Sequence, residues 1–200
     1  MTTKHIIEFV FPTPIIMFDM EYDENDLIKK IYEYKEQTDP DGVVKSNEGG
    51  YHSNYRSHED PLFCDFTEDL NNKIGRVIEQ HTTLNGRINM RQFWFNINPP
   101  GAFNKKHTHP ESHFSGVMWI KVPKKSGNLI FDNPHAHNYH TTIDVLNKRR
   151  FAEAQFHKAL EYTAKEKKVI LFPGDLWHHV EVNKSEEDRI SCAFNITISY

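Results

Sequence analysis

The chain has 200 residues, 38% of them hydrophobic and 26% charged, with a formal net charge of −4. That length suits one domain with a real core, and the charge argues against a general electrostatic grip on nucleic acid. The apolar stretch near the start is short and broken by Pro12, so neither a signal peptide nor a membrane span is expected.

Two cysteines, Cys64 and Cys192, make no disulfide framework and fit a reducing, cytoplasmic setting. Thirteen histidines are many, although composition alone assigns them to the surface.

Residues 5–20, broken by Phe11-Pro12-Thr13-Pro14, read as an extended leading segment or an edge strand, where proline is tolerated. Asn25 is placed to cap a helix carrying Leu27, Ile28, Ile31 and Tyr32 on one face. Residues 38–60 are rich in Asp, Gly, Ser, Asn and His and read as one long loop of the lid or binding type. Thr67 is expected to open a second helix, with Leu70, Ile74, Val77 and Ile78 facing one way.

From Asn89 the period changes to two. Met90 to Asn98 alternates and is aromatic, so it reads as a strand ended by Pro99-Pro100-Gly101. Further strands are predicted at 114–122, 127–132, 158–164, 167–173, 177–182 and 189–199, with a tight turn at Lys165-Glu166. Residues 133–157 read as an insertion, with a helix expected over Asp144 to Ala154. Helices followed by many short strands predict a mainly β antiparallel sandwich or jelly roll with flanking helices outside it. Residues 1–88 supply the leading segment, loop and two supporting helices of a single domain, and 89–200 its jelly-roll core.

The last strand has the clearest parity. Ile190, Cys192, Phe194, Ile196 and Ile198 share one face, and Arg189, Ser191, Ala193, Asn195 and Thr197 share the other. If the apolar face is covered, Arg189 and Ser191 line a polar cavity, where a guanidinium fork matches a carboxylate. The competing reading is a surface Arg189 paired with Glu186 or Glu187. By the same parity Asn96 faces the cavity with Trp94, while Phe93 and Phe95 face the helices.

His107-Thr108-His109-Pro110-Glu111 puts two imidazoles on one side of an extended segment, and Leu171-Phe172-Pro173-Gly174 leads to Leu176-Trp177-His178. Two histidines and one carboxylate on one octahedral face suit non-haem iron. Two registers are open: His107, His109 and His178, or His109, Glu111 and His178, the latter only if the chain stays extended past Pro110.

With these motifs the chain resembles the Fe(II)- and 2-oxoglutarate-dependent oxygenases of the prolyl-hydroxylase-like branch, over residues 90–200. The likeness runs through His107-Thr108-His109, Ser115-Gly116-Val117, Gly127 to Phe131, Phe172 to His178 and Arg189-Ile190-Ser191. It is similar more narrowly to short oxygenases of phages and bacteria, through Phe11 to Pro14, Trp94, Asn96, Gly101, Asn104 and Pro110.

The resemblance implies a double-stranded β-helix with Fe(II) as metal and 2-oxoglutarate as cosubstrate. It implies hydroxylation of a C–H bond of a protein side chain or small molecule, with release of succinate and CO2. It assigns His107 and His178 to the two family histidines, and Arg189 with Ser191 to the distal carboxylate. His109 stands where the family has a carboxylate, so His109, Glu111 or a water completes the metal's ligands. Asn96 is expected to bond the cosubstrate. Trp119, His113 and the 40–60 loop are candidates to line or cover the pocket. The alternative is a cupin-like jelly-roll metal protein without 2-oxoglutarate chemistry. A sandwich that stacks sugar or peptide on its aromatics leaves the pairing of His107 with His178 unexplained.

Overall fold

The computed structural model describes residues 13–81, 87–134 and 159–199. The helix expected over Asp144 to Ala154 and the first half of the Phe11 to Pro14 motif lie outside these residues. The elements begin with β1 (Ile16–Asp19), α1 (Glu24–Gln37), β2 (Asn47–Glu48), β3 (Tyr51–His52), a 3-10 turn (Ser57–Glu59) and α2 (Cys64–His81). They continue with β4 (Arg87–Asn98), β5 (Phe103–His107), β6 (Phe114–Lys121), β7 (Leu129–Asp132) and β8 (Ala159–Tyr162). β9 (Lys168–Pro173), β10 (His178–Val180) and β11 (Arg189–Ser199) complete them.

The strands form two antiparallel sheets, in the orders β1-β9-β6-β11-β4-β3 and β2-β5-β10-β7-β8. Chain neighbours are divided between the sheets, as in a jelly roll. β1 is the edge strand its prolines suggested. β5 is a strand the alternation did not announce, because Lys105 and Lys106 interrupt its apolar pattern.

Helix α1 buries Leu27, Ile31 and Tyr34. Its N-cap is Asp23 rather than Asn25: the Asp23 carboxylate accepts from the Asp26 backbone N–H at 3.1 Å. Helix α2 starts at Cys64, one turn before Thr67. Thr67 lies inside the helix, and its hydroxyl donates to the Phe63 carbonyl at 3.0 Å. Leu70, Ile74 and Ile78 are buried, as their spacing predicted.

Both helices cover the outer face of the six-stranded sheet. The core there joins Ile31, Phe63, Leu70 and Ile74 to Phe93, Phe95, Met118, Leu171 and the apolar face of β11. A second, smaller core lies between the sheets, from Val117, Trp119, Ile170 and Phe172 on one to Leu129 and Phe131 on the other. The odd-numbered positions of β11 look into that inter-sheet space.

Residues 38–60 are more ordered than a plain loop. β2 pairs with β5 and β3 with β4, so Gly49-Gly50 carries the chain from one sheet to the other. Gly49 has φ +69, and a Cβ on Gly50 would stand 2.9 Å from Asn98 Nδ2. Ser53 ties the segment down, its N–H donating to the Phe95 carbonyl and its Oγ accepting from the Phe95 N–H, each at 2.9 Å. The turn at Lys165-Glu166 also passes between sheets, since β8 pairs with β7 and β9 with β6. Among the described residues no helix is long and apolar enough to cross a membrane.

Candidate functional site

A cavity opens between the sheets, lined by Trp94, Asn96, His107, His109, His178, Arg189 and Ser191, among others. Register explains why distant residues meet there. β10 lies beside β5 with His178 directly opposite His107. Trp94 and Asn96 on β4 pair with Ala193 and Ser191 on β11, and Arg189 pairs with Asn98.

His109 follows β5 and is held from below, its N–H donating to the Gly174 carbonyl at 2.6 Å. The close approach depends on Gly174: a Cβ there would fall 2.5 Å from the His109 carbonyl oxygen and 2.3 Å from that of Ser112. Past Pro110 the chain turns, with the Ser112 N–H donating to the His109 carbonyl at 3.1 Å. Glu111 is exposed as a result. The extended register that would bring Glu111 to the histidines is not adopted.

One potential ligand atom from each of His107, His109 and His178 falls within a single 4.8 Å group, the one such cluster among the described residues. The ring centroids are 4.3 Å apart for His107 and His178, 4.9 Å for His107 and His109, and 5.2 Å for His109 and His178. Nδ1 of His107 lies 2.6 Å from the Lys105 carbonyl, and Nδ1 of His178 lies 2.8 Å from the Leu176 carbonyl. A carbonyl only accepts, so both Nδ1 atoms carry the proton and each Nε2 presents a lone pair.

Burial, then the neighbouring imidazoles, depresses the basicity of the trio. His109 and His178 are pushed down to about 3, and His107 is also lowered. All three rings are neutral at pH 7, which is the form that binds a metal.

Arg189 is 1% exposed and makes no surface ion pair; Glu187 pairs instead with Lys121 at 2.9 Å. Its Nη1 donates to the Ser126 carbonyl and, at 3.0 Å, to that of Glu181. Nη2 is buried without a partner among the described residues. Burial lowers its pKa to about 10, so the guanidinium keeps its charge. Its hydrogen-bond partners are two neutral carbonyls, and the Glu181 carboxylate offsets only part of the effect of burial, so a bound anion would be favoured beside it. Asn96 Oδ1 is likewise buried and, among the described residues, unpartnered.

Trp119 lines the cavity as expected. His113 does not join the trio: it is exposed, and its Nδ1 accepts from the Ile198 N–H at 3.2 Å. Three residues near the cavity carried no individual role in the sequence reading, although Ser46 and His52 fall in the 40–60 loop expected to line or cover the pocket. Ser46 and Asn104 line it. His52 is 3% exposed and stacks on Trp94 at 5.2 Å and 6°, while Trp94 packs on His109 at 5.7 Å. The signal available was pairing: β3 sets His52 opposite Asn96, but a two-residue strand leaves no period to detect.

Comparison with curated proteins returns no match. Among solved structures, the chain is similar to HygX from Streptomyces hygroscopicus with nickel and 2-oxoglutarate bound. That likeness has 9% identity, 92% of this chain, 82% of that one and a TM-score of 0.60. It is similar to a Pseudomonas putida prolyl-4-hydroxylase at 14% identity, 92% of both chains and a TM-score of 0.58. The chain spans 57% of an oxidoreductase of the 2OG-Fe(II) oxygenase family from Burkholderia pseudomallei, with 66% of this chain covered, 14% identity and a TM-score of 0.48. At such identities the first two likenesses speak for the fold, the double-stranded β-helix. The profile of a sequence family described as "Putative 2OG-Fe(II) oxygenase" matches residues 92–195, more than half of the chain and the whole span from Trp94 to Ser191. The chain belongs to this family of 2OG-Fe(II) oxygenases.

Proposed function

We propose that the protein holds one Fe(II) through His107, His109 and His178, and binds 2-oxoglutarate with its distal carboxylate on Arg189 and Ser191. The donor set fits the metal. Two Nε2 lone pairs are fixed by backbone carbonyls, a third imidazole lies beside them, and all are neutral at working pH. It fits the cosubstrate as well. The unpartnered Nη2 of Arg189 gives a carboxylate a charge-assisted partner, Ser191 supplies a hydroxyl on the same strand face, and Asn96 faces the same space.

Bound iron supplies dioxygen activation coupled to decarboxylation of 2-oxoglutarate to succinate and CO2. The chain contributes the rest. Arg189 orients the dicarboxylate, and its buried positive charge favours a dianion over a neutral ligand. Trp94, Trp119, Leu129 and Phe172 wall the cavity and exclude water. Three neutral imidazoles would bring no charge to the metal, so the bound anion would supply it in place of a protein carboxylate.

The reaction we infer is hydroxylation of a C–H bond in a protein side chain or a small molecule. Both classes are represented among proteins of this fold, in a prolyl-4-hydroxylase and in HygX with hygromycin B bound. The free thiols Cys64 and Cys192 suit a cytoplasmic setting.

The observation that carries this reading is the orphan guanidinium nitrogen in the same cavity as the three imidazoles. A metal-binding jelly roll without 2-oxoglutarate chemistry leaves it without a role. The test is anaerobic addition of Fe(II) and 2-oxoglutarate, followed by the visible charge-transfer absorbance of the chelate. The band is expected for the wild type and absent for His178→Ala. No band in the wild type, with iron bound, defeats the proposal.

A further inference from the structure

His109 is the odd member of the trio. His107 and His178 are fixed as Nδ1–H tautomers by carbonyl oxygens, whereas the Nδ1 of His109 faces a side-chain amide, Asn195, at 3.5 Å. Asn195 is 4% exposed and sits in a short chain of hydrogen bonds. Ser115 Oγ donates to Asn195 Oδ1 at 2.7 Å, and Asn195 Nδ2 donates to Gln92 Oε1 at 2.6 Å. The nitrogen that faces His109 is therefore a donor. In that polarity His109 Nδ1 accepts and its proton resides on Nε2, where a metal needs a lone pair.

The same chain of groups can run the other way. Each of its three members has both donor and acceptor capacity. With both amides turned over, Asn195 Oδ1 accepts from His109 Nδ1–H and from Gln92 Nε2, and Asn195 Nδ2 donates to the Ser115 hydroxyl. His109 then matches its two partners, with Nε2 free for the metal. No proton is gained or lost; the imidazole proton moves from Nε2 to Nδ1. A family carboxylate at this position has no tautomer to set. An imidazole does, and the Trp94 face packed on it orients the ring without selecting a nitrogen.

We propose that Asn195, braced by Ser115 and Gln92, is the positioning residue that sets the tautomer of His109, and that the amide relay reverses when His109 takes up metal. This rests on the three-histidine reading above. Outer-shell partners of ligating histidines typically govern about 10–100-fold in metal affinity, so removing the amide should cost within that range.

The test uses Zn(II) as a redox-inert probe on the whole chain, with two readouts: affinity by competitive titration, and histidine ring nitrogens by 15N NMR. Wild-type His109 should be the Nε2–H tautomer without metal and Nδ1–H with it. Asn195→Leu should bind Zn(II) about 10–100-fold more weakly, with His107 and His178 still Nδ1–H. Asn195→Asp offers only acceptors, so it should hold His109 as Nδ1–H even without metal and bind Zn(II) at least as tightly as the wild type.

Opposite directions at one position are not the mark of a merely structural residue. If both variants bind like the wild type, or both weaken alike, while His109 still responds to metal, the relay is refuted and the ligand set stands. If His109 shows no change on metal loading in the wild type, the three-histidine ligand set itself is wrong, and the relay falls with it. Should Asn195→Leu fail to fold, the tautomer of metal-free Asn195→Asp decides: Nδ1–H upholds the relay and Nε2–H overturns it.

Discussion

Arg189 and the histidines pull in opposite directions electrostatically. Arg189 stays charged while nearly sealed from water, hydrogen-bonded to carbonyl oxygens and with the Glu181 carboxylate acting on it only through space. Charge-assisted bonds contribute about 1.5–3 kcal/mol each, so Arg189→Leu should weaken 2-oxoglutarate binding by roughly 10–100-fold, leaving metal affinity close to that of the wild type; a titration of the charge-transfer band measures both. The imidazoles lose their charge instead. Their folded values lie below the ordinary 6.5, so the folded chain refuses protons that the unfolded chain takes up. Stability is complete above that ordinary value and is lost as pH falls from it toward about 3 for His109 and His178. The metal-free melting temperature should drop across this window, more shallowly in His178→Gln. Parity alone placed Arg189, Ser191 and Asn96 on one wall. It could not choose between His107 and Glu111, because the choice lies in a turn at Pro110 whose hydrogen bond from Ser112 leaves no periodic trace.

Elements position these side chains through close backbone approaches, and two glycines separate the two halves of the site. Gly127, before β7, has φ +89, and a Cβ there would meet the Glu181 carbonyl at 2.7 Å and Arg189 Nη1 at 2.9 Å. Gly174, before β10, seats the turn that carries His109. Gly127→Ala should therefore weaken 2-oxoglutarate binding more than metal binding, and Gly174→Ala the reverse, in the same pair of titrations. Helix faces were readable because a 3.6-residue repeat survives any choice of end. Their starts were not. Asp23 and Asn25 are both competent caps, and what selects Asp23 is where Leu27 and Ile31 must point to meet the sheet. Short strands such as β2 and β3 escape for a related reason: their conformation is imposed by the partner strands β5 and β4.

At the scale of the molecule, stability and chemistry occupy different layers. The large core lies between the helices and the outer face of the six-stranded sheet, and the cavity lies on the inner face. Phe95, a fully buried β4 residue packed on Phe63 just ahead of α2, should cost about 3–5 kcal/mol of stability on truncation to Ala, seen as a lower denaturant midpoint with an unchanged slope, while Zn(II) affinity of the folded fraction is retained. The class of fold was legible because alternating strands after two amphipathic helices have few ways to bury their apolar faces. The assignment of neighbouring strands to opposite sheets was not, since pairing is settled by closure of the whole sandwich and not by any local repeat. One pairing has a consequence for the life of the protein. His178 meets His107 only once β10 has settled against β5, two stretches joined by a long run of intervening sequence. With the ligand set proposed above, a half-assembled chain would lack the complete trio, so tight metal binding would wait until the last strands have closed.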